Sequence, residues 1–155
     1  MKEAIANAGV FNLVAIFVAI LIAFFIGSLG YSKAFKVKNY IVNEIEKSGY
    51  ESKDRANINK SIDSWLKEIG YRVNSGYNKI NCPVINDSRV SNGGSALNNE
   101  SKYQYCIYEF VTKNGLKESK YYRVVAYMYF DVPIVEDIIR VPVVGETASF
   151  TDIKS

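Results

Sequence analysis

The chain has 155 residues, which leaves about one soluble core once an N-terminal membrane segment is set aside, and its 19 basic and 16 acidic residues give a net charge of only +3. It contains no histidine, so the commonest general base and metal ligand is missing and neither a hydrolytic triad nor a zinc site is expected. Two cysteines are too few for a thiolate metal centre, no basic cluster points to nucleic acid, and no GxxxxGK, GxGxxG, GxSxG or HExxH motif occurs; the expectation is no enzyme, no cofactor, no metal and no nucleic-acid partner.

Residues 1–9 read as a short leader or cytoplasmic segment and residues 10–31 as a transmembrane helix. No residue between positions 4 and 32 is charged, and fourteen of the twenty positions 10–29 are Val, Leu, Ile or Phe. Twenty helical residues rise about 30 Å, the thickness of a bilayer's hydrocarbon. Those fourteen side chains favour insertion by roughly 4 to 8 kcal/mol. The competing reading is a cleaved signal peptide, with Lys2 in its n-region and Ser32-Lys33-Ala34 near a cleavage site. The apolar run exceeds the roughly 7–15 residues of such a peptide's core, which favours a retained anchor.

Ala15, Ala19, Ala23 and Gly27 recur at intervals of four within this segment. Small residues at that spacing let another apolar helix approach closely, so the row is read as a face that packs against a neighbouring subunit's helix. The alternative is that alanine is simply frequent in membrane helices. Lys33, Lys36 and Lys38 follow the segment and suit lipid head groups. Taken alone, their excess over Lys2 would hold the following domain in the cytoplasm. The cysteine pair argues the other way, because a disulfide persists in an oxidising compartment. The balance favours a single-pass cell membrane protein with the domain of residues 32–155 outside the cytoplasm.

From residue 34 to 47 a helical period continues, with Phe35, Val37, Ile41, Val42 and Ile45 as its apolar stripe and Ser48-Gly49 as its stop. A second, short helix is predicted around Ile58, Ile62, Trp65, Leu66 and Ile69, with Ser52 or Asp54 as its cap and Gly70 as its end. A first short strand pair is expected at Tyr71-Arg72-Val73 and around Ile80, Cys82 and Val84. Residues 86–101 collect Asn, Ser, Gly and Asp and read as an exposed, mobile loop. Strands are predicted over 102–112 and 118–132, joined by a tight turn at Asn114-Gly115. One face of the second strand carries Tyr122, Val124, Ala126, Met128 and Phe130. The other carries Tyr121, Arg123, Val125, Tyr127 and Tyr129, a tyrosine-coated surface. Pro133 ends this strand, residues 134–140 make a connection, and a final strand runs over 143–150. Cys82 and Cys106 are expected to bridge early and central strands, the alternative being two buried free thiols. The fold class is α+β: a long N-terminal transmembrane helix continuing into an amphipathic one, a short second helix and an antiparallel sheet.

Two blocks of the chain resemble the TadE-like proteins, pilin-related subunits of the tight-adherence or Flp-type pilus assembly system. One is Asn12-Leu13-Val14-Ala15-Ile16-Phe17 through Gly27-Ser28-Leu29-Gly30-Tyr31. The other is Arg123-Val124-Val125-Ala126-Tyr127-Met128-Tyr129-Phe130, then Val132-Pro133-Ile134, then the final strand with Gly145-Glu146-Thr147-Ala148-Ser149. The resemblance implies a pilin-like fold, a minor-pilin or pseudopilin role in surface pilus assembly, and membrane lipid and other pilus subunits as partners. Pilin precursors are typically cut after a Gly and carry Glu at the fifth mature position; here Gly9 is followed at that position by Val14. A filament repeat and a retained membrane subunit both stay open. A third reading is a membrane-tethered binding or sensing module that uses the tyrosine-coated sheet and the polar loop.

Overall fold

A computed structural model describes residues 2–71, 73, 82–98, 101–114, 117–130 and 139–153. Helix α1 runs unbroken over Lys2–Ser48; no proline interrupts it, the first in the chain being Pro83. It ends where Gly49 and Tyr50 turn to positive φ, and the Gly49 N–H donates to the Ile45 carbonyl at 2.8 Å. Helix α2, Arg55–Glu68, buries Ile58, Ile62 and Leu66. Asp54 holds the capping position, but its side chain makes no capping bond. At the other end Gly70 adopts φ +61°, and the Tyr71 N–H returns to the Leu66 carbonyl at 2.9 Å.

The antiparallel sheet is built on β2, Lys117–Phe130. On one side β1, Tyr105–Asn114, pairs with it from Asn114↔Lys117 to Tyr105↔Ala126. Asn114, expected in the turn of this hairpin, is the last residue of β1, and Gly115 lies outside the described set. On β2's other side two strands lie end to end: β3, Ile139–Glu146, and β4, Phe150–Ile153. The single final strand expected over 143–150 is therefore two strands. From Arg123↔Glu146 to Lys120↔Phe150, β2 moves three residues (123 to 120) while its partner moves four (146 to 150). That extra residue is the bulge that breaks the strand. Thr147 bridges the break: its N–H donates to the Tyr122 carbonyl and its Oγ1 accepts from the Tyr122 N–H, both at 2.9 Å.

The main core lies between α1, α2 and one face of this sheet. Val37, Ile41 and Ile45 of α1, spaced by four, are fully buried with Ile62, Leu66, Ile107 and Val124, and Tyr122 is buried beside them. Tyr40 stacks on Trp65 with ring centroids 3.9 Å apart and so joins the two helices. Lys33 Nζ donates to the Gly70 carbonyl at 2.7 Å, tying the end of α2 to the point where α1 enters the domain.

Two more expectations need correction. Residues 82–87 form no strand, and Val84 is exposed; Val73 makes only an isolated bridge to Tyr103. Residue 72, residues 74–81 with Ile80, and residues 131–138 with Pro133 lie outside the described set, but Arg140 belongs to β3. The supposed loop over 86–98 is laid along the free edge of β1. The Ser91 N–H donates to the Glu109 carbonyl (2.8 Å), the Val111 N–H to Arg89 (2.7 Å) and the Leu97 N–H to the Ile107 carbonyl (2.7 Å). The Asn98 amide replaces a strand residue, donating to the Tyr105 carbonyl and accepting from the Ile107 N–H, each at 2.8 Å. Gly94 closes this segment at φ +81°, where a side chain would run into the Ile85 carbonyl oxygen.

Candidate functional site

Among the described residues one helix is long and apolar enough to cross a membrane, and it is the first half of α1. From Val10 to Leu29 every large apolar side chain is exposed, and the most apolar stretch has a mean hydropathy of 2.8 with none of it buried. Exposure of that kind is costly in water and favourable in lipid. Ala15, Ala19, Ala23 and Gly27 lie on this uncovered surface. Ala23 and Gly27 lower it into a shallow groove walled by Ile20, Phe24 and Tyr31. Four residues of helix turn about 400°, so the row of small residues winds by about 40° per step instead of running straight.

Cys82 and Cys106 form a disulfide. It encloses 25 residues, counted from 82 through 106, and in the chain-entropy model such a closure contributes about 3.5 kcal/mol. The bond holds residues 82–98 over the second face of the sheet. Val90, Ala96, Cys106, Tyr108 and Phe110 are buried there, with Tyr121, Val125 and Tyr127 half-buried around them. The Tyr108 hydroxyl donates to the Pro83 carbonyl at 2.7 Å. Tyr71 closes the end of the β1–β2 ladder, accepting from the Tyr127 N–H at 3.0 Å and donating toward the Gln104 carbonyl at 3.1 Å. The expected tyrosine-coated surface is thus half-buried at Tyr121, Arg123, Val125 and Tyr127, beside the cluster to which the clamped segment contributes Val90 and Ala96. A strand pattern shows which residues share a face, but not what lies across it.

Burial sets the acidity of these tyrosines. It pushes the hydroxyls of Tyr50, Tyr71, Tyr108 and Tyr122 up to about 12 and that of Tyr105 higher still.

The structure also holds a cleft that sequence reasoning missed. It has a volume of about 870 Å³ and lies between the polar face of α2 and a wall of residues 91–98 and Ser101, with Tyr105 and Glu109 beside them. Ser52, Arg55, Asn59, Lys60 and Asp63 recur along the lining at helical spacing; that polar period was legible, but polar helix faces usually meet only water. Arg55 Nη2 contacts Glu109 Oε2 at 3.3 Å, while Arg55 Nε is buried with no hydrogen-bond partner. Ser101 Oγ and the Tyr105 hydroxyl both donate to Asp63 Oδ1 at 3.4 Å, and the Tyr50 hydroxyl donates to Asn59 Oδ1 at 2.7 Å. Burial raises the pKa of Asp63, with the bonds from Ser101 and Tyr105 pulling it back down. Among the described residues no group of three or more His, Cys, Asp or Glu side chains is placed to hold a metal ion.

No protein-family model, no curated protein and no solved structure matches this chain.

Proposed function

We propose that this chain is a membrane-anchored, pilin-like subunit, a minor pilin or pseudopilin of the tight-adherence type, that takes part in assembling a surface pilus. The observation that carries the reading is the two-part helix: α1 exposes an apolar first half, then continues without a break into an amphipathic half packed on an antiparallel sheet. A subunit of this shape is held in the bilayer by the first half and passes to its neighbours through the same surface. The winding row Ala15, Ala19, Ala23 and Gly27 suits a helix crossing at the roughly −40° typical of close small-residue contacts. The disulfide favours an oxidising compartment, hence a domain outside the cytoplasm. Membrane lipid and other pilus subunits are the partners this arrangement calls for.

Deleting the gene in a strain that makes surface pili, and imaging the cells, tests the reading. Loss or shortening of pili, restored by the wild-type chain and not by Ala19→Leu, is expected; unchanged pili would contradict it. A second reading, a membrane-tethered binding module, is favoured by the polar cleft beside α2. Its original basis, an open tyrosine surface, is weakened by the segment that covers that face.

A further inference from the structure

We propose that the cleft between α2 and the wall of residues 91–98 and Ser101 is a binding site for a neutral saccharide. The inference rests on the domain alone and stands whether or not the chain enters a pilus. A volume of about 870 Å³ is within the roughly 300–1,000 Å³ of small-ligand sites.

The lining decides the chemistry. The charged groups of its lining, Arg55, Lys60, Asp63 and Glu109, sum to zero, with Lys102 acting on Asp63 from outside it. A phosphate or sulfate would gain from the two cations but meet the two carboxylates at the same distance scale. A metal ion would find too few ligands among the described residues. An apolar ligand would strip water from Asp63, Lys60 and the serines without replacing their hydrogen bonds, at about 1–3 kcal/mol for each group left unpaired.

A sugar hydroxyl both donates and accepts, so it satisfies a wall that mixes the two roles. Asp63 is the anchor. Both hydrogen bonds it receives, from Ser101 and Tyr105, reach the same oxygen and are long at 3.4 Å, which leaves Oδ2 to accept from an incoming hydroxyl. A ring hydroxyl donating to that oxygen makes a charge-assisted bond, roughly twice as strong as a neutral one. Donors come from the other side. Tyr50 takes the Asn59 carbonyl oxygen and so turns that side chain's NH2 into its free group. Arg55, which pairs with Glu109 and also bonds Tyr122, keeps its Nε without a partner. The walls are held in place before any ligand arrives. One is a helix and the other is bonded to the edge of β1, so little ordering cost is left for binding.

The test uses the full chain in lipid nanodiscs, applied to an array of neutral hexose and N-acetylhexosamine oligomers with their sulfated counterparts, followed by calorimetry on whatever is retained. At least one neutral oligomer is expected to bind, with little dependence on salt. Asp63→Asn keeps the size of the side chain and should weaken that binding by about tenfold or more, while thermal unfolding of the domain stays near wild type. Lys67→Glu, which reverses a charge on α2 outside the cleft, should change it by no more than about twofold, because the ligand carries no charge. Retention of no neutral oligomer, or unchanged affinity in Asp63→Asn, overturns the proposal. So does a preference for sulfated oligomers that Lys60→Glu abolishes.

Discussion

The two halves of α1 are equally helical, yet they differ in composition and in surroundings: fourteen of the twenty residues 10–29 are Val, Leu, Ile or Phe, against five of the fifteen residues 34–48. In the first half the apolar side chains cover the whole circumference, and every one from Val10 to Leu29 is exposed. In the second half they form a stripe. Ala34, Val37, Ile41 and Ile45 are buried against α2 and the sheet, while Lys36, Asn39, Asn43 and Lys47 face out. Both the amount of apolar surface and its distribution around the axis mark the change, from all sides in the first half to one stripe in the second. The change falls at one place, between Lys33 and Ala34, where Lys33 also ties the domain to the helix.

The largest effects come from placing a charge in each half in turn. Ile20→Arg swings insertion by about 3–4 kcal/mol, comparable with the lower estimate for the whole segment. The membrane-retained fraction after extraction should collapse while the domain stays folded. Ile41→Arg buries an unpaired charge in the core and should unfold the domain, at a cost above about 4 kcal/mol, without releasing the chain from the membrane. Circular dichroism and fractionation together read both outcomes.

Alkali should act on one half only. Tyr50 and Tyr71 have folded-state pKa values of about 12 against an ordinary 10. A raised pKa means that the neutral hydroxyl stabilises the fold fully below pH 10 and that this contribution is lost as pH rises from 10 to 12. The two together weaken the domain by roughly 5 kcal/mol at the upper end, on the scale of 1.36 kcal/mol per unit. Tyrosinate absorbance and near-ultraviolet dichroism should therefore show cooperative unfolding above pH 10, while the chain remains in the bilayer.

Next in size is the disulfide. Replacing Cys82 and Cys106 with alanine should lower domain stability by about 3.5 kcal/mol in a denaturant titration. It should also increase iodination of Tyr108 and Tyr121, the side chains that the clamped segment covers. The smallest effect is expected from Ala19→Leu, which leaves domain stability unchanged. If the small residues form a packing face, it weakens self-association in detergent by about 1 kcal/mol, measured by energy transfer between labelled copies.

The elements made of repeated apolar side chains were legible in the sequence because periodicity is a local property. The four-residue spacing of Val37, Ile41 and Ile45, and the alternation of Tyr122, Val124 and Ala126 along β2, point to the same core from either direction. What escaped was held by the backbone. The segment over 86–98 has few apolar residues, and its order comes from main-chain bonds to β1 and from Asn98 standing in for a strand residue. No composition rule separates that from a loose loop. The bulge bridged by Thr147 escaped for the same reason, since a single extra residue leaves the apolar pattern around it almost intact. The cleft was half legible: the row Arg55, Asn59, Lys60 and Asp63 is written in α2, but the opposing wall forms where the disulfide and β1 bring residues 91–98 and Ser101 across from it.

The division of α1 at Ala34 is tested most directly by a scan of single spin labels along the helix in reconstituted bilayers, comparing collisions with oxygen and with a water-soluble nickel chelate. At positions 13, 17, 20 and 24 the labels should meet oxygen and exclude the chelate. At 36 and 43 they should meet the chelate, and at 41 neither reagent should have ready access. Free access of the chelate at positions 13 to 24 would contradict a lipid-embedded first half.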